Sequence, residues 1–138
     1  TKNKSPRAKR ETPHYKRVLG TKCVVDAFTY QSPDHSAYFL SHFHSDHYGG
    51  LRHTYKRPAP IYASLFTARL VISKLNVDEK HVKILPMNEE IQIPEEPGTS
   101  VILLDANHCP GAVLFLFKVG DLYHLHTGDM RYHPKMKL

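Results

Sequence analysis

The stretch LSHFHSDHYGGL, residues 40–51, decides how the rest of the chain is read. Three histidines and an aspartate stand within six positions, between the apolar run Ala37 to Leu40 and the pair Gly49-Gly50. A short apolar run reads as a strand, and the glycines close a short helix or turn, so the polar cluster lies at a strand end, where α/β proteins carry functional loops. If the extended backbone continues, side chains alternate: His42, His44 and Asp46 emerge on one side and His47 points elsewhere. Imidazole nitrogens with a carboxylate oxygen are the donors that zinc and similar cations accept, and a neighbouring Asp/His pair can hold a second ion. The cluster therefore predicts a centre for one or two divalent cations.

Working outward, Val18-Leu19 and Cys23 to Val25 read as two strands around the turn Gly20-Thr21, with Asp26 ending the second. Pro60 to Ala63 is a further strand. Ser64 is a natural N-cap for a helix whose Ala68, Val71, Ile72 and Leu75 fall at i, i+3, i+4 and i+7, a core-facing stripe. Beyond Asn76 the pattern is β: Val82 to Leu85, Ile91 to Ile93, Val101 to Leu104, Ala112 to Val119 and Leu122 to Leu125, divided by PEEPGTS, ANHCPG and VGD. The run VLFLF, 113–117, reads as a strand buried on both faces. Strands, helix, strand, helix and then a meander predict a mixed α/β sandwich with its functional loops at strand ends.

The chain has 138 residues, 41% of them hydrophobic, enough for one compact domain. No run is long and apolar enough to span a membrane, so no membrane partner is expected, and nothing reads as a secretion signal. Cys23 and Cys109 are too few for a disulfide scaffold and are expected to be reduced. The net charge of +6 is localised: residues 1–17 hold seven Lys and Arg against Glu11, whereas the remaining residues hold twelve basic and twelve acidic side chains. Residues 1–14 are expected to form a basic, disordered leader, and 15–138 the folded body, which carries no basic excess of its own.

Two residues elsewhere support the cation centre. His108 in LLDANHCPGA and Asp129 in HLHTGDMRY each follow an apolar strand candidate directly. The segments VDAF, YFLSHFHSDHYGGL, LLDANHCPGAV and LHTGDMRY, in this order, resemble the metallo-β-lactamase superfamily. Among its members they are most similar to the DNA cross-link repair nucleases of the β-CASP branch. The resemblance covers residues 13–138, with Met130 where the family usually has Phe. It implies the N-terminal half of an αββα metallo-β-lactamase sandwich with mixed sheets, ending before the β-CASP region. It further implies that His42, His44, His108 and Asp129 hold one metal and that Asp46, His47 and Asp129 hold the other. Asp46 and Asp129 would serve catalysis, while Asp26 and Thr127 would orient ligands. The implied activity is phosphodiester hydrolysis in DNA, 5′ to 3′, during interstrand cross-link repair in the nucleus, with zinc as cofactor and DNA as partner. Other DNA-repair proteins are conceivable partners that the residues do not identify. The fragment alone is expected to be inactive.

Three other functions remain open at this stage: an RNA-processing nuclease of the same branch, a small-ester hydrolase of the wider superfamily, and a metal-stabilised interaction module without turnover. Cys109, beside a proposed ligand, reads as a small buried hydrophobe rather than a thiolate donor. His14, His35, His53, His81, His124 and His133 read as ordinary surface or packing residues. His126, before Thr127 and Asp129 on the last strand, could face the centre but reads first as an ordinary strand residue.

Overall fold

The computed structural model describes residues 10–136, in three layers: a helix, a parallel sheet and an antiparallel sheet. Strands β1 (Cys23–Val25), β2 (Ala37–Phe39), β3 (Ile61–Ala63) and β4 (Val82–Ile84) form the first sheet in that order, every pair parallel. Strands β5 (Ile91–Gln92), β6 (Thr99–Asp105), β7 (Val113–Val119) and β8 (Leu122–His126) form the second as an antiparallel meander. The expected α/β sandwich is present, with the two kinds of pairing kept in separate sheets. The four-residue helix α1 (Ser45–Tyr48) follows β2, and α2 (Leu65–Leu75) connects β3 to β4.

A parallel sheet covered on both sides needs strands that are apolar throughout, and β1, β2 and β3 are buried at every position. Cys23, Val25, Ala37, Phe39 and Tyr62 face the second sheet, meeting Val101, Leu103, Val113, Phe115 and Phe117. Phe39 stacks on Tyr62 at 5.0 Å and meets Phe115 and Phe117 edge-on at 5.4 and 4.9 Å. On the other face Val24, Tyr38, Leu40, Ile61 and Ala63 pack with Ala68 and Val71 of α2. The helical stripe thus meets the core, with Ile72 and Leu75 at its half-buried margin. In VLFLF, Val113, Phe115 and Phe117 fill the space between the sheets, and Leu114 joins a small outer cluster with Ala106 and Ala112.

Several expectations need correction. Val18-Leu19 is not a strand: Thr21 N–H bonds to Val18 O, and only an isolated bridge joins Arg17 to Val24. Gly20 (φ +79°) turns the chain too tightly for a ladder. Strand β4 belongs to the parallel sheet rather than the meander, because α2 carries the chain over and back beside β3. Ser64 does occupy the N-cap of α2, but its hydroxyl donates to Gly111 O at 2.7 Å instead of capping the helix. The packed body begins before the expected boundary at residue 14. Thr12 is buried and accepts from Arg17 Nε through its carbonyl at 3.0 Å; the rest of the proposed leader, residues 1–9, lies outside the described residues. Cys23 and Cys109 are both free thiols.

Parallel strands all end on the same side, and alternate strands of a meander do too. The chain therefore leaves β1, β2, β6 and β8 along one rim, where Asp26, Ser41 to His47, His108 and Asp129 all lie. Val113 N–H, at the start of β7, donates to Ser41 O at 3.0 Å and joins the two sheets beneath this rim.

Candidate metal centre

The backbone presents each polar side chain through a specific local device. After β2 the chain enters α1, with Tyr48 N–H donating to His44 O at 3.0 Å. This helical turn corrects the alternation expected of the loop: Asp46 does not line up with His42 and His44 but turns to the side of His47. Phe43 points away and stacks on Tyr48 at 4.5 Å. At the end of β6, Asn107 N–H donates to Asp105 Oδ1 at 2.8 Å and Asn107 takes φ +52°, a turn that Asn tolerates and that presents His108. Arg131 N–H donates to Ala106 O at 2.9 Å, tying the exits of β6 and β8 together. Gly128 has φ +50°, and a Cβ there would lie 3.1 Å from Ser41 Oγ, so a glycine lets the Asp129 loop rest on the histidine loop.

Six residues meet in two groups that share Asp129. His42, His44, His108 and Asp129 offer donor atoms within 4.8 Å of one another, as do Asp46, His47 and Asp129. Asp129 Oδ2 lies 3.2 Å from His47 Nε2, 3.6 Å from His42 Nε2 and 3.8 Å from His108 Nε2. Asp46 Oδ2 is 3.4 Å from His47 Nε2, and His108 Nε2 is 3.3 Å from His44 Nδ1. The rings of His42, His44 and His108 are mutually near-perpendicular, at 86°, 88° and 90°.

These residues suit a divalent cation on two physical grounds. A tetrahedron with metal–nitrogen bonds of about 2.0–2.1 Å has edges of about 3.3–3.4 Å, which the 3.3 Å between His108 Nε2 and His44 Nδ1 matches and the 3.6 and 3.8 Å from Asp129 Oδ2 to His42 and His108 approach. Further, His42 Nε2 is the one buried side-chain nitrogen or oxygen among the described residues with no hydrogen-bond partner. Leaving such an atom unpaired costs about 1–3 kcal/mol, and a cation beside Asp129 would satisfy it.

Asp26 lies beneath both groups, 5% exposed and at φ +50°. Its Oδ1 accepts from Ser41 N–H at 2.8 Å; its Oδ2 accepts from Ser41 Oγ at 2.6 Å and from His47 Nδ1 at 2.7 Å. Its carbonyl accepts from Lys16 Nζ at 2.6 Å. The Asp26 hydrogen bond, helped by the charges of Asp26, Asp129 and Asp46, raises the pKa of His47 despite its burial. Burial, reinforced by His47, pushes His42 down to about 4, so His42 is held as a neutral donor.

Sequence reasoning missed Ser41, which reads as an ordinary loop serine but is 1% exposed, with its hydroxyl 2.9 Å from His42 Nδ1. A Ser beside a cluster of donors is a weak signal that only the fold sharpens. Thr127 is exposed and lines the cleft beside Asp26, His47 and Asp129, and its hydroxyl bonds none of the described residues. His126 is half-buried, accepts from Gly128 N–H at 3.2 Å and titrates below its usual range because of burial. It lines a cleft of about 450 Å³ with Asp26, His47 and Asp129 but belongs to neither donor group. Cys109 is also outside both groups.

No family model matches the chain. It is 46% identical to DNA cross-link repair 1A protein of Mus musculus over 94% of its length, covering 12% of that protein. It is 40% identical to DNA cross-link repair protein PSO2/SNM1 of Saccharomyces cerevisiae over 99% of its length, covering 23% of that protein. With the 5′ exonuclease Apollo of Gallus gallus it shares 42% identity over 87% of its length, 26% of the relative. The chain thus spans only about an eighth to a quarter of the length of these relatives. Among solved structures, a flavoprotein from Thermotoga maritima superposes over 62% of the chain and 22% of its own, with a TM-score of 0.51 at 22% identity, a likeness of fold alone.

Proposed function

Since the chain is 40–46% identical over most of its length to DNA cross-link repair proteins, we propose that it belongs to their family and supplies the cation centre of a divalent-metal-dependent nuclease. The substrate is DNA, degraded 5′ to 3′ in interstrand cross-link repair in the nucleus, and the cation is zinc. The observation that carries this reading is the meeting of three separate segments at Asp129 Oδ2, within 3.2–3.8 Å of three imidazoles.

When bound, a pair of divalent cations supplies a water acidified to near neutrality and positive charge against the scissile phosphate. The protein's own residues divide the remaining work. Asp129, touching both donor groups through one oxygen, sets their separation. His42 stays neutral in its buried position and keeps a lone pair available. Asp46, its side chain 75% exposed, is free to accept a hydrogen bond from the attacking water and hold it in line. Because residues 18–138 carry equal numbers of acidic and basic side chains, the attraction for a polyanion at this rim comes from the cations rather than from a basic groove.

The test is digestion of 5′-phosphorylated, labelled DNA by the full-length protein with added Zn²⁺, compared with Asp129→Asn. Loss of digestion in the variant by about 10³-fold or more is expected for a residue shared by both cation positions. Equal digestion by both proteins would rule the reading out.

A further inference from the structure

The arrangement around Asp26 contains a hydroxyl whose direction of donation is determined by its partners. Ser41 Oγ lies 2.6 Å from Asp26 Oδ2 and 2.9 Å from His42 Nδ1. An ionised carboxylate only accepts, so the hydroxyl proton goes to Asp26. The Ser41 oxygen must then accept, and the only proton it can receive from the ring is that of His42 Nδ1–H. The neutral imidazole carries a single N–H, so its Nε2 is left with a bare lone pair. That nitrogen is the buried, unpartnered atom facing Asp129 at 3.6 Å.

On this basis we propose that Ser41 is a positioning residue that relays the hold of Asp26 to His42, fixing the tautomer that presents Nε2 to the first donor group. The proposal rests on the cation reading above and deepens it. Asp26 Oδ2 accepts directly from His47 Nδ1, in the second group, and reaches His42 only through Ser41. One buried carboxylate oxygen therefore orients one histidine from each group, by a direct hydrogen bond on one side and a one-hydroxyl relay on the other. The surroundings permit no easy substitute for the relay. Ser41 is 1% exposed, its carbonyl is engaged by Val113 N–H, and Gly128 closes over its side chain. A water replacing the lost hydroxyl would have to fit a space of about one atom, less than the volume a water occupies.

The experiment uses the 138-residue chain at pH 8 with its histidines labelled with ¹⁵N, and reads ring tautomers from long-range ¹H–¹⁵N spectra before and during Zn²⁺ titration. In the metal-free wild type His42 is expected as the single Nδ1–H tautomer. Ser41→Ala should give a mixture or the opposite tautomer, with His47 unchanged. Zn²⁺ affinity read at the His42 ring should fall by about 10- to 100-fold, the usual effect of losing a partner that orients a metal ligand. Affinity at His47 should stay within about threefold. Ser100→Ala is the control, since Ser100 is 3% exposed and donates to Glu90 at 2.7 Å in the second sheet; it should change neither tautomer nor affinity.

An Nε2–H tautomer of His42 in the wild type overturns the proposal without any variant. An unchanged His42 tautomer in Ser41→Ala overturns it too, as does an affinity loss that is equal at both rings or is reproduced by Ser100→Ala. The two readings fail separately. A wild-type chain that takes up no Zn²⁺ removes the cation reading and this proposal with it. Zn²⁺ uptake with an unmoved His42 tautomer removes the role of Ser41 alone.

Discussion

Replacing Asp26 by Asn changes one heavy atom in the buried network and should disable both donor groups. Asn is nearly the same size and tolerates the φ of +50° at this position, so backbone strain does not enter. With its amide oxygen still accepting from Ser41 N–H, the new NH₂ takes the place of Oδ2 and faces two donors, Ser41 Oγ–H and His47 Nδ1–H. Donor against donor is resolved only if Ser41 turns its proton toward His42 Nδ1 and His47 moves its proton to Nε2. Both imidazoles then carry a proton on the nitrogen that faces Asp129. Hydrogen bonds to a charged group contribute about 1.5–3 kcal/mol each and neutral ones about 0.5–1.5. Exchanging two of the first kind for two of the second therefore costs about 2–3 kcal/mol. Zn²⁺ affinity should fall by about 10- to 100-fold at each position. Urea unfolding in excess chelator measures the first quantity, and competition with a chromophoric chelator the second. An Asp26→Asn chain that binds two Zn²⁺ within about threefold of wild type, with both rings still in the Nδ1–H form, would refute the reasoning.

Cation binding should stabilise the fold by mass action: at 100 times Kd one ion contributes about 2.7 kcal/mol, or roughly 10 °C in Tm for a domain this size. Chelator should reverse the shift, and an unchanged Tm would contradict the donor geometry. Gly50→Ala should cost about 2–4 kcal/mol, because Gly50 has φ +93° and a Cβ would lie 2.5 Å from Phe28 O. Gly98→Ala, at φ +84° with nothing within 4 Å, should cost only about 1–2; equal losses in urea would contradict the packing of the histidine loop on Phe28. In chelator, neutral His42 contributes stability that is present above the unfolded value of about 6.5 and is lost as pH falls toward its folded value of about 4. His47, raised by Asp26, acts in the opposite sense: its contribution is present below about 6.5 and is lost as pH rises through its higher folded value. Tm against pH for the wild type and His42→Gln should diverge between pH 6.5 and 4, and superimposable profiles would dismiss His42 as their source.

The amino-acid order alone identified what depends on near neighbours. An apolar run ending in imidazoles and carboxylates marks β2 and its loop, the spacing of Ala68, Val71 and Leu75 marks α2, and the donor types at 42–47, 108 and 129 define a cation chemistry. Errors arose where a residue's partner is remote. Strand β4 looked like part of the meander because a three-residue strand such as Val82-Lys83-Ile84 carries no record of which sheet it will join. Asp46 looked aligned with His44 until a helical turn rotated it toward His47. Ser41 carried only a weak sequence signal, since its role exists only once Asp26, just after β1, lies against the loop after β2. Composition and periodicity act over a few residues, so they determined the elements and the kinds of donor. Bringing Asp26 within hydrogen-bond reach of Ser41 and His47, gathering His42, His108 and Asp129 around one position, and setting which nitrogen of each ring holds its proton depend on two sheets packing through Phe39, Phe115 and Phe117, and that was decided only by the tertiary structure.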